Sequence, residues 1–257
     1  MDIFQSFILG LVQGLTEFLP ISSSAHLVLI PHFLGWQSAP VFFDIMLHLG
    51  TLIAVLFFFY KDILRLFTTE RRLIILIIIA CIPAFLVGVL FKDIIEKLFE
   101  NPIGVSVLLL VTGVFLYAAP STIQGQNTKN KAISFFDALL IGIAQAFAIA
   151  PGISRSGATI TTALFRGVSA EESARFSFLL SIPVILGAFV FKFKDIGFKI
   201  QGLLSAPYVV GMIAAAISGF FAIKFVFKAI KAGKFKMFAY YCWAIGIFSL
   251  LFIFIRK

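Results

Sequence analysis

The 257-residue chain has little charge and little cysteine. Only 13% of its residues are charged and 61% are hydrophobic, whereas a soluble globular domain is about 25% charged and about 45–50% apolar. This composition excludes a soluble domain, a disordered chain and a coiled coil. The two cysteines, Cys81 and Cys242, both lie in apolar runs, which argues against a disulfide framework or a cysteine metal site. A polytopic membrane protein fits these numbers.

Basic residues nevertheless give the chain a net charge of +9. They lie in short loops between apolar segments, as in multi-pass proteins, so we predict no nucleic-acid partner. Because a spanning helix needs about 20 apolar residues, we predict six spans: 41–60, 73–91, 103–120, 176–191, 207–223 and 237–255. We place three basic loops in the cytoplasm, namely 61–72, 121–132 and 224–236, and we place loop 92–100 outside.

Two further apolar regions are interrupted by polar residues. Region 3–34 contains Pro20 and a serine run from Ser22, and region 135–165 contains Pro151 and Arg155. The part after each proline is about ten residues long, and ten helical residues rise only about 15 Å, half a bilayer core. We therefore predict two re-entrant helical hairpins whose polar breaks lie at depth. Two ordinary kinked spans are the alternative.

The two interrupted regions resemble each other. A shift of 132 positions superimposes Gly10 on Gly142, Gln13 on Gln145 and Ser22 on Ser154. Three spans follow each hairpin, and because three is odd, the second half inserts upside down relative to the first. The sequence thus predicts an all-α integral membrane protein with one membrane domain, 1–257. It is built from an inverted-topology repeat with halves 1–125 and 132–257, each half a re-entrant hairpin plus three transmembrane helices.

Glu17 and Arg155 are the first candidates for function. An ionised side chain at membrane depth costs about 2.5–3.5 kcal/mol on insertion scales, so it is seldom there without a role. A structural Glu17–Arg155 ion pair is the alternative. Gln13 lies four residues before Glu17 and shares its helix face. By contrast, we interpret His48, which lies inside a predicted span, as a packing residue or an interhelical hydrogen-bond residue.

The serine run of residues 22–24 precedes His26 at the start of a predicted helix. A helix start of this kind presents hydroxyl and free N–H groups and favours an anion, phosphate above all. His26 is a candidate acid–base or nucleophile. In the second break, Arg155 offers a planar fork for phosphate. Further hydroxyl donors come from Ser154, Ser156 and Thr159. Together these groups could stabilise a transferring phosphoryl group.

Residues 13–26 and 151–159 resemble two motifs of the bacterial undecaprenyl-diphosphatase family, the bacitracin-resistance proteins. The first looks like the family's (E/Q)xxxE motif with a downstream Ser-Ser-x-x-His. The second matches PGxSRSxxT at every specified position. Gln13 stands where some members carry Glu, which leaves Glu17 as the only carboxylate of that pair.

The resemblance implies that the C55 carrier-lipid diphosphate is hydrolysed to the monophosphate. This reaction recycles the carrier for peptidoglycan and other envelope polymers and underlies bacitracin resistance. The resemblance also implies a multi-pass protein of the bacterial inner membrane, a site that faces the periplasm, and a divalent cation, usually Mg²⁺. The expected partners are the polyprenyl diphosphate and membrane lipids, and a homodimer is permitted but not required.

Carried over by motif, Glu17 would bind the metal or orient His26. The nucleophile and acid–base would be His26 with Ser22 or Ser23, and it stays open whether Ser23 or His26 attacks phosphorus. The diphosphate would be bound by Arg155 and by a set of polar residues: Gln13, Ser22, Ser154, Ser156 and Thr159. A transporter or flippase for an anionic lipid is the alternative function, because an inverted repeat with charges at the midplane is also a transporter plan.

Overall fold

The computed structural model describes residues 1–37, 39–120, 131–195 and 205–256. All regular structure in these ranges is α-helical. The first half contains α1 (Ile3–Phe18), α2 (Ser23–Leu34), α3 (Val41–Phe58), α4 (Tyr60–Thr68), α5 (Arg71–Leu90), α6 (Lys92–Phe99) and α7 (Pro102–Ala118). The second half contains α8 (Phe135–Phe147), α9 (Arg155–Phe165), α10 (Ala170–Asp195), α11 (Ala206–Lys231) and α12 (Met237–Ile255). The predicted boundary between the halves 1–125 and 132–257 lies outside the described residues, except for Lys131.

Four described helices are long and apolar enough to cross a membrane, and two bent pairs raise the number to six. The four are Arg71–Leu90, Ala170–Phe191, Ala206–Lys231 and Met237–Ile255. In the bent pairs, α3 turns by 69° into α4, and α6 turns by 97° into α7. All six predicted spans thus have a helical counterpart, and the all-α membrane fold is confirmed.

The interpretation of 61–72, 92–100 and 224–236 as loops was wrong, because α4, α6 and the end of α11 occupy most of these segments. Helices α4 and α6 are amphipathic. In α4, Leu64 and Phe67 are exposed beside charged residues such as Lys61 and Arg65. Such a helix suits the membrane interface, where its apolar face enters the lipid and its charges stay in water.

The four helices around the two polar breaks are short. They contain 16, 12, 13 and 11 residues in α1, α2, α8 and α9. At 1.5 Å per residue the longest of them measures about 24 Å, less than the roughly 30 Å hydrocarbon core. None of these helices can cross the bilayer alone. The breaks lie at 19–22 and 148–154, where the sequence predicts them.

Each hairpin packs against the other half of the chain. Helix α1 lies along α11, and α8 lies along α5. The crossings are close: a Cβ on Gly14 would lie 2.4 Å from the carbonyl oxygen of Ala215, and one on Gly142 would lie 2.6 Å from that of Ala80. Small residues are required where backbones approach this closely. This packing brings the two breaks together inside the protein.

Candidate active site

Glu17 and Arg155 form an ion pair where the two breaks meet. Glu17 lies in the last turn of α1, Arg155 begins α9, and Arg155 Nη2 donates a hydrogen bond to Glu17 Oε1. The Glu17 side chain is 7% exposed and that of Arg155 is 15% exposed. The structure therefore brings together the two charges that the sequence places at depth.

The other carboxylate oxygen of Glu17 accepts two further hydrogen bonds. Gln13 Nε2 donates to Oε2 at 3.0 Å, and Ser23 Oγ donates to the same atom at 2.7 Å. Gln13 is fully buried behind Glu17. Ser23, in contrast, is partly exposed. Ser23 thus presents a hydroxyl that is both accessible and bonded to a carboxylate.

His26 is bonded at both ring nitrogens. Nδ1 lies 2.8 Å from the carbonyl oxygen of Ser22, and Nε2 lies 2.9 Å from the hydroxyl oxygen of Tyr241. The residue is 5% exposed. Because a carbonyl oxygen only accepts, Nδ1 carries the hydrogen. The Ser22 carbonyl and Tyr241 therefore orient this imidazole, rather than Glu17 as the resemblance suggests.

Ser22 has an unusual backbone. Its φ is 67° and its ψ is 95°, a left-handed conformation that non-glycine residues seldom adopt and that is common at functional sites. Its Oγ accepts from Ala25 N at 3.3 Å and so caps α2. Ser24 Oγ accepts from Gly152 N at 3.4 Å and ties this turn to the second break. The strained turn aims the Ser22 carbonyl at His26.

The hydroxyl groups of the second break are engaged within the protein. Ser154 Oγ accepts from Gly157 N at 3.1 Å and caps α9. Ser156 Oγ donates to the Leu19 carbonyl at 3.1 Å. Thr159 Oγ1 donates to the Arg155 carbonyl at 2.9 Å and lies 2.7 Å from a hydroxyl of α10. Together with Ser22, these three residues are at most 2% exposed. They shape the site from behind, while Ser23 and Arg155 are partly exposed.

Comparisons with known proteins identify the family of the chain. The family model for the bacitracin resistance protein BacA matches residues 6–248. The chain belongs to the BacA family. An undecaprenyl-diphosphatase of Halothermothrix orenii is 44% identical over 255 residues, which cover 98% of each chain. One from Carboxydothermus hydrogenoformans is 44% identical over 251 residues, 96% of each chain. Undecaprenyl-diphosphatase 3 of Bacillus cereus is 43% identical over 253 residues, 98% of this chain and 97% of the relative.

Three polar residues that lie near the site in this BacA-family protein were assigned no role in it from the sequence. His48 Nε2 lies 3.8 Å from Glu17 Oε2, and its side chain is 39% exposed. Tyr241 bonds to His26. Thr112 Oγ1 donates to the Gly152 carbonyl at 2.8 Å and accepts from Ser154 N at 3.1 Å. The only sequence signal for each is one polar side chain within an apolar span, which singles out no partner.

The donor set at the BacA-family site suits a cation only together with a substrate. Among the described residues no three His, Cys, Asp or Glu side chains cluster as a metal site. Mg²⁺ is commonly held by one or two carboxylates together with substrate phosphates. Glu17 fits as one such ligand, and a diphosphate would supply the remaining oxygens.

Proposed function

We propose that this chain is an undecaprenyl-diphosphatase, which hydrolyses the C55 carrier-lipid diphosphate to the monophosphate and phosphate. The supporting observation is the arrangement around Arg155. Its Nη2 binds Glu17, whereas Nη1 is buried and has no hydrogen-bond partner among the described residues. Ser23 is bonded to the other oxygen of the same Glu17 carboxylate, so one carboxylate links the serine hydroxyl to the guanidinium. A phosphoryl group bound by Nη1 would satisfy the guanidinium and lie near that hydroxyl.

Ser23 is the proposed nucleophile. A nucleophile and its base are recognised by hydrogen-bond contact, and Ser23 Oγ lies 2.7 Å from Glu17 Oε2. Ser23 Oγ attacks the terminal phosphorus, and its proton passes to Glu17. The bond from this phosphorus to the bridging oxygen breaks, and the bridging oxygen leaves with the lipid monophosphate. It takes a proton from protonated His26.

Water completes the cycle. It loses a proton to His26 and attacks the phosphorus of the phosphoserine. Ser23 Oγ leaves with the proton from Glu17, phosphate is released, and Ser23, Glu17 and His26 return to their starting states. Arg155 stabilises the charge on the transferring group, since fixed donors in a water-poor site act strongly on developing charge. The N-termini of α2 and α9 meet here and favour an anion in the same way.

We also propose that Mg²⁺ enters with the diphosphate, with Glu17 as its protein ligand. A bound cation would neutralise phosphate charge. Removal of divalent cations with a chelator is expected to lower phosphate release, and added Mg²⁺ is expected to restore it. Undiminished activity in the chelator would contradict this part of the proposal.

The two halves of the chain are proposed to be inverted repeats. Their contacts support this. Gly113 of α7 and Gly246 of α12 lie 133 positions apart, as do Ser106 and Ala239. A Cβ on Gly113 would lie 3.1 Å from the Ala239 oxygen, and one on Gly246 would lie 3.2 Å from the Ser106 oxygen. The α7–α12 crossing thus makes the same contact twice, as a two-fold axis between repeats requires.

The proposed location is the bacterial inner membrane, with the first hairpin entered from the periplasm. Leu9 of α1, Trp36 after α2 and Tyr208 near the start of α11 share one apolar cluster. The opposite end of α11 carries Lys228 and Lys231 in its last turn. Basic ends face the cytoplasm in multi-pass proteins, so this cluster, and with it the open end of the first hairpin, lies on the periplasmic side.

Phosphate release by purified protein in detergent, with undecaprenyl diphosphate as substrate, tests the activity. Ser23→Ala is expected to abolish release and to leave no labelled phosphoserine after acid quench of a ³²P-labelled reaction. Ser249→Ala is the matched control, because Ser249 is a buried serine that only bonds to the Ile245 carbonyl of its own helix. Full activity of Ser23→Ala would refute the proposed nucleophile, and no release by the wild type would refute the function.

A transporter or flippase remains the second candidate, supported by the contacts that relate the two halves. Reconstitution in liposomes separates the two functions. Transfer of lipid diphosphate between leaflets without phosphate release would favour the transporter, and release without transfer would favour the enzyme.

A further inference from the structure

Tyr241 is the partner of His26 that the proposed reaction leaves without a role. It lies in the second turn of α12, 215 residues away along the chain. Its ring stacks on the imidazole, with centroids 5.7 Å apart and planes 16° apart. Its hydroxyl lies 2.9 Å from Nε2. The phenol thus touches the imidazole both through its face and through its polar atom.

The hydrogen-bond roles follow from the other ring nitrogen. Because Nδ1 donates to the Ser22 carbonyl, the neutral imidazole has a lone pair at Nε2, and the Tyr241 hydroxyl must donate to it. When His26 is protonated, Nε2 becomes a donor and the phenol oxygen accepts. A hydroxyl can do both, whereas a carbonyl or an ammonium could serve only one state. Tyr241 can therefore hold Nε2 before and after each proton transfer, whether or not this nitrogen carries the proton, and it yields Nε2 to the leaving oxygen or to water during the transfer itself.

We propose that Tyr241 is a positioning residue that keeps His26 Nε2 in place for proton transfer in both protonation states of the imidazole. The inference rests on the proposed function, in which His26 donates a proton to the leaving oxygen and takes one from water. Tyr241 is 39% exposed, so its hydroxyl can also move aside when substrate enters.

Tyr241→Phe removes one oxygen and keeps the stacked ring. The expected result is a fall in kcat of about 10- to 100-fold, the loss that follows when the partner orienting a functional histidine is removed. KM is expected to stay within twofold, because Arg155 and the helix N-termini bind the diphosphate. Tyr240→Phe is the matched control. Tyr240 is the neighbouring tyrosine, is 56% exposed, and contacts the rings of Tyr117 and Trp243 instead.

The second measurement is independent of turnover. In protein labelled with ¹⁵N-histidine, the Nε2 resonance of His26, assigned through a His26→Gln variant, is expected to shift in Tyr241→Phe and to stay unchanged in Tyr240→Phe. An unshifted resonance would refute the hydrogen bond. A kcat within twofold of wild type, or a loss carried by KM alone, would refute the positioning role. If the wild type releases no phosphate, the proposed function fails. The shift of the His26 Nε2 resonance in Tyr241→Phe still tests whether Tyr241 is hydrogen-bonded to His26.

Discussion

Arg155→Lys separates the charge of the site from its geometry. The guanidinium can donate to Glu17 through Nη2 and to a phosphate oxygen through Nη1, which has no partner among the described residues. A lysine keeps the positive charge and has three N–H donors, but they radiate from one nitrogen on a shorter chain instead of from a planar fork, so we expect one of the two hydrogen bonds to be lost. A hydrogen bond to a charged group contributes about 1.5–3 kcal/mol. Since each 1.36 kcal/mol is a factor of ten, kcat/KM is expected to fall about 10- to 150-fold.

The measurement is the initial rate of phosphate release at several concentrations of undecaprenyl diphosphate. Arg166→Lys is the control. Arg166 follows the other end of α9, about 16 Å along the helix, and its Nε donates to Asp137 Oδ1 at 2.6 Å. The Arg166→Lys substitution is expected to change kcat/KM by less than twofold. The reasoning would be refuted if Arg155→Lys stayed within threefold of wild type, or if Arg166→Lys lost as much activity.

Three further outcomes are expected. Gly14→Ala should destabilise the protein by about 1–3 kcal/mol through overpacking, because its Cβ would lie 2.4 Å from the Ala215 oxygen. Gly187→Ala is the control: its added Cβ would have no neighbouring atom within 4 Å, so it should not lower thermal stability in detergent. Equal losses of stability in the two variants would contradict the reasoning. Asp137→Asn should cost about 1.5–3 kcal/mol in the same melting assay, because the carboxylate pairs there with two basic side chains, each of which is 38% exposed and stays hydrated in the variant; activity per folded molecule should stay, and an unchanged melting temperature would refute this. Glu17→Gln should abolish phosphate release, because glutamine cannot take the Ser23 proton, and should weaken the equilibrium binding of Mg²⁺ together with undecaprenyl diphosphate; an unchanged Mg²⁺ affinity would rule out Glu17 as the ligand.

The hairpins and the Glu17–Arg155 pair were predictable because a membrane leaves few options. A polar break at depth needs protein around it, and a buried charge needs an opposite charge. The bends after α3 and before α7 were not predictable from hydropathy, since amphipathic segments such as α4 resemble charged loops. The roles of His48, Thr112 and Tyr241 were hidden for another reason. Each is one polar residue in an apolar helix, and its partner is set by helix rotation, which the sequence pattern does not define.

The close fit of α1 against α11 has a consequence for biosynthesis. The first hairpin leaves the ribosome early, whereas its packing partner α11 is synthesised about 190 residues later. At 5–20 residues per second this delay lasts roughly 10 to 40 s. During this delay the first hairpin, whose helices are each too short to cross the bilayer, can contact only lipid, the translocon or an insertase. The first hairpin can therefore pack in its final position only when the chain is nearly complete, and not when its own segment is inserted.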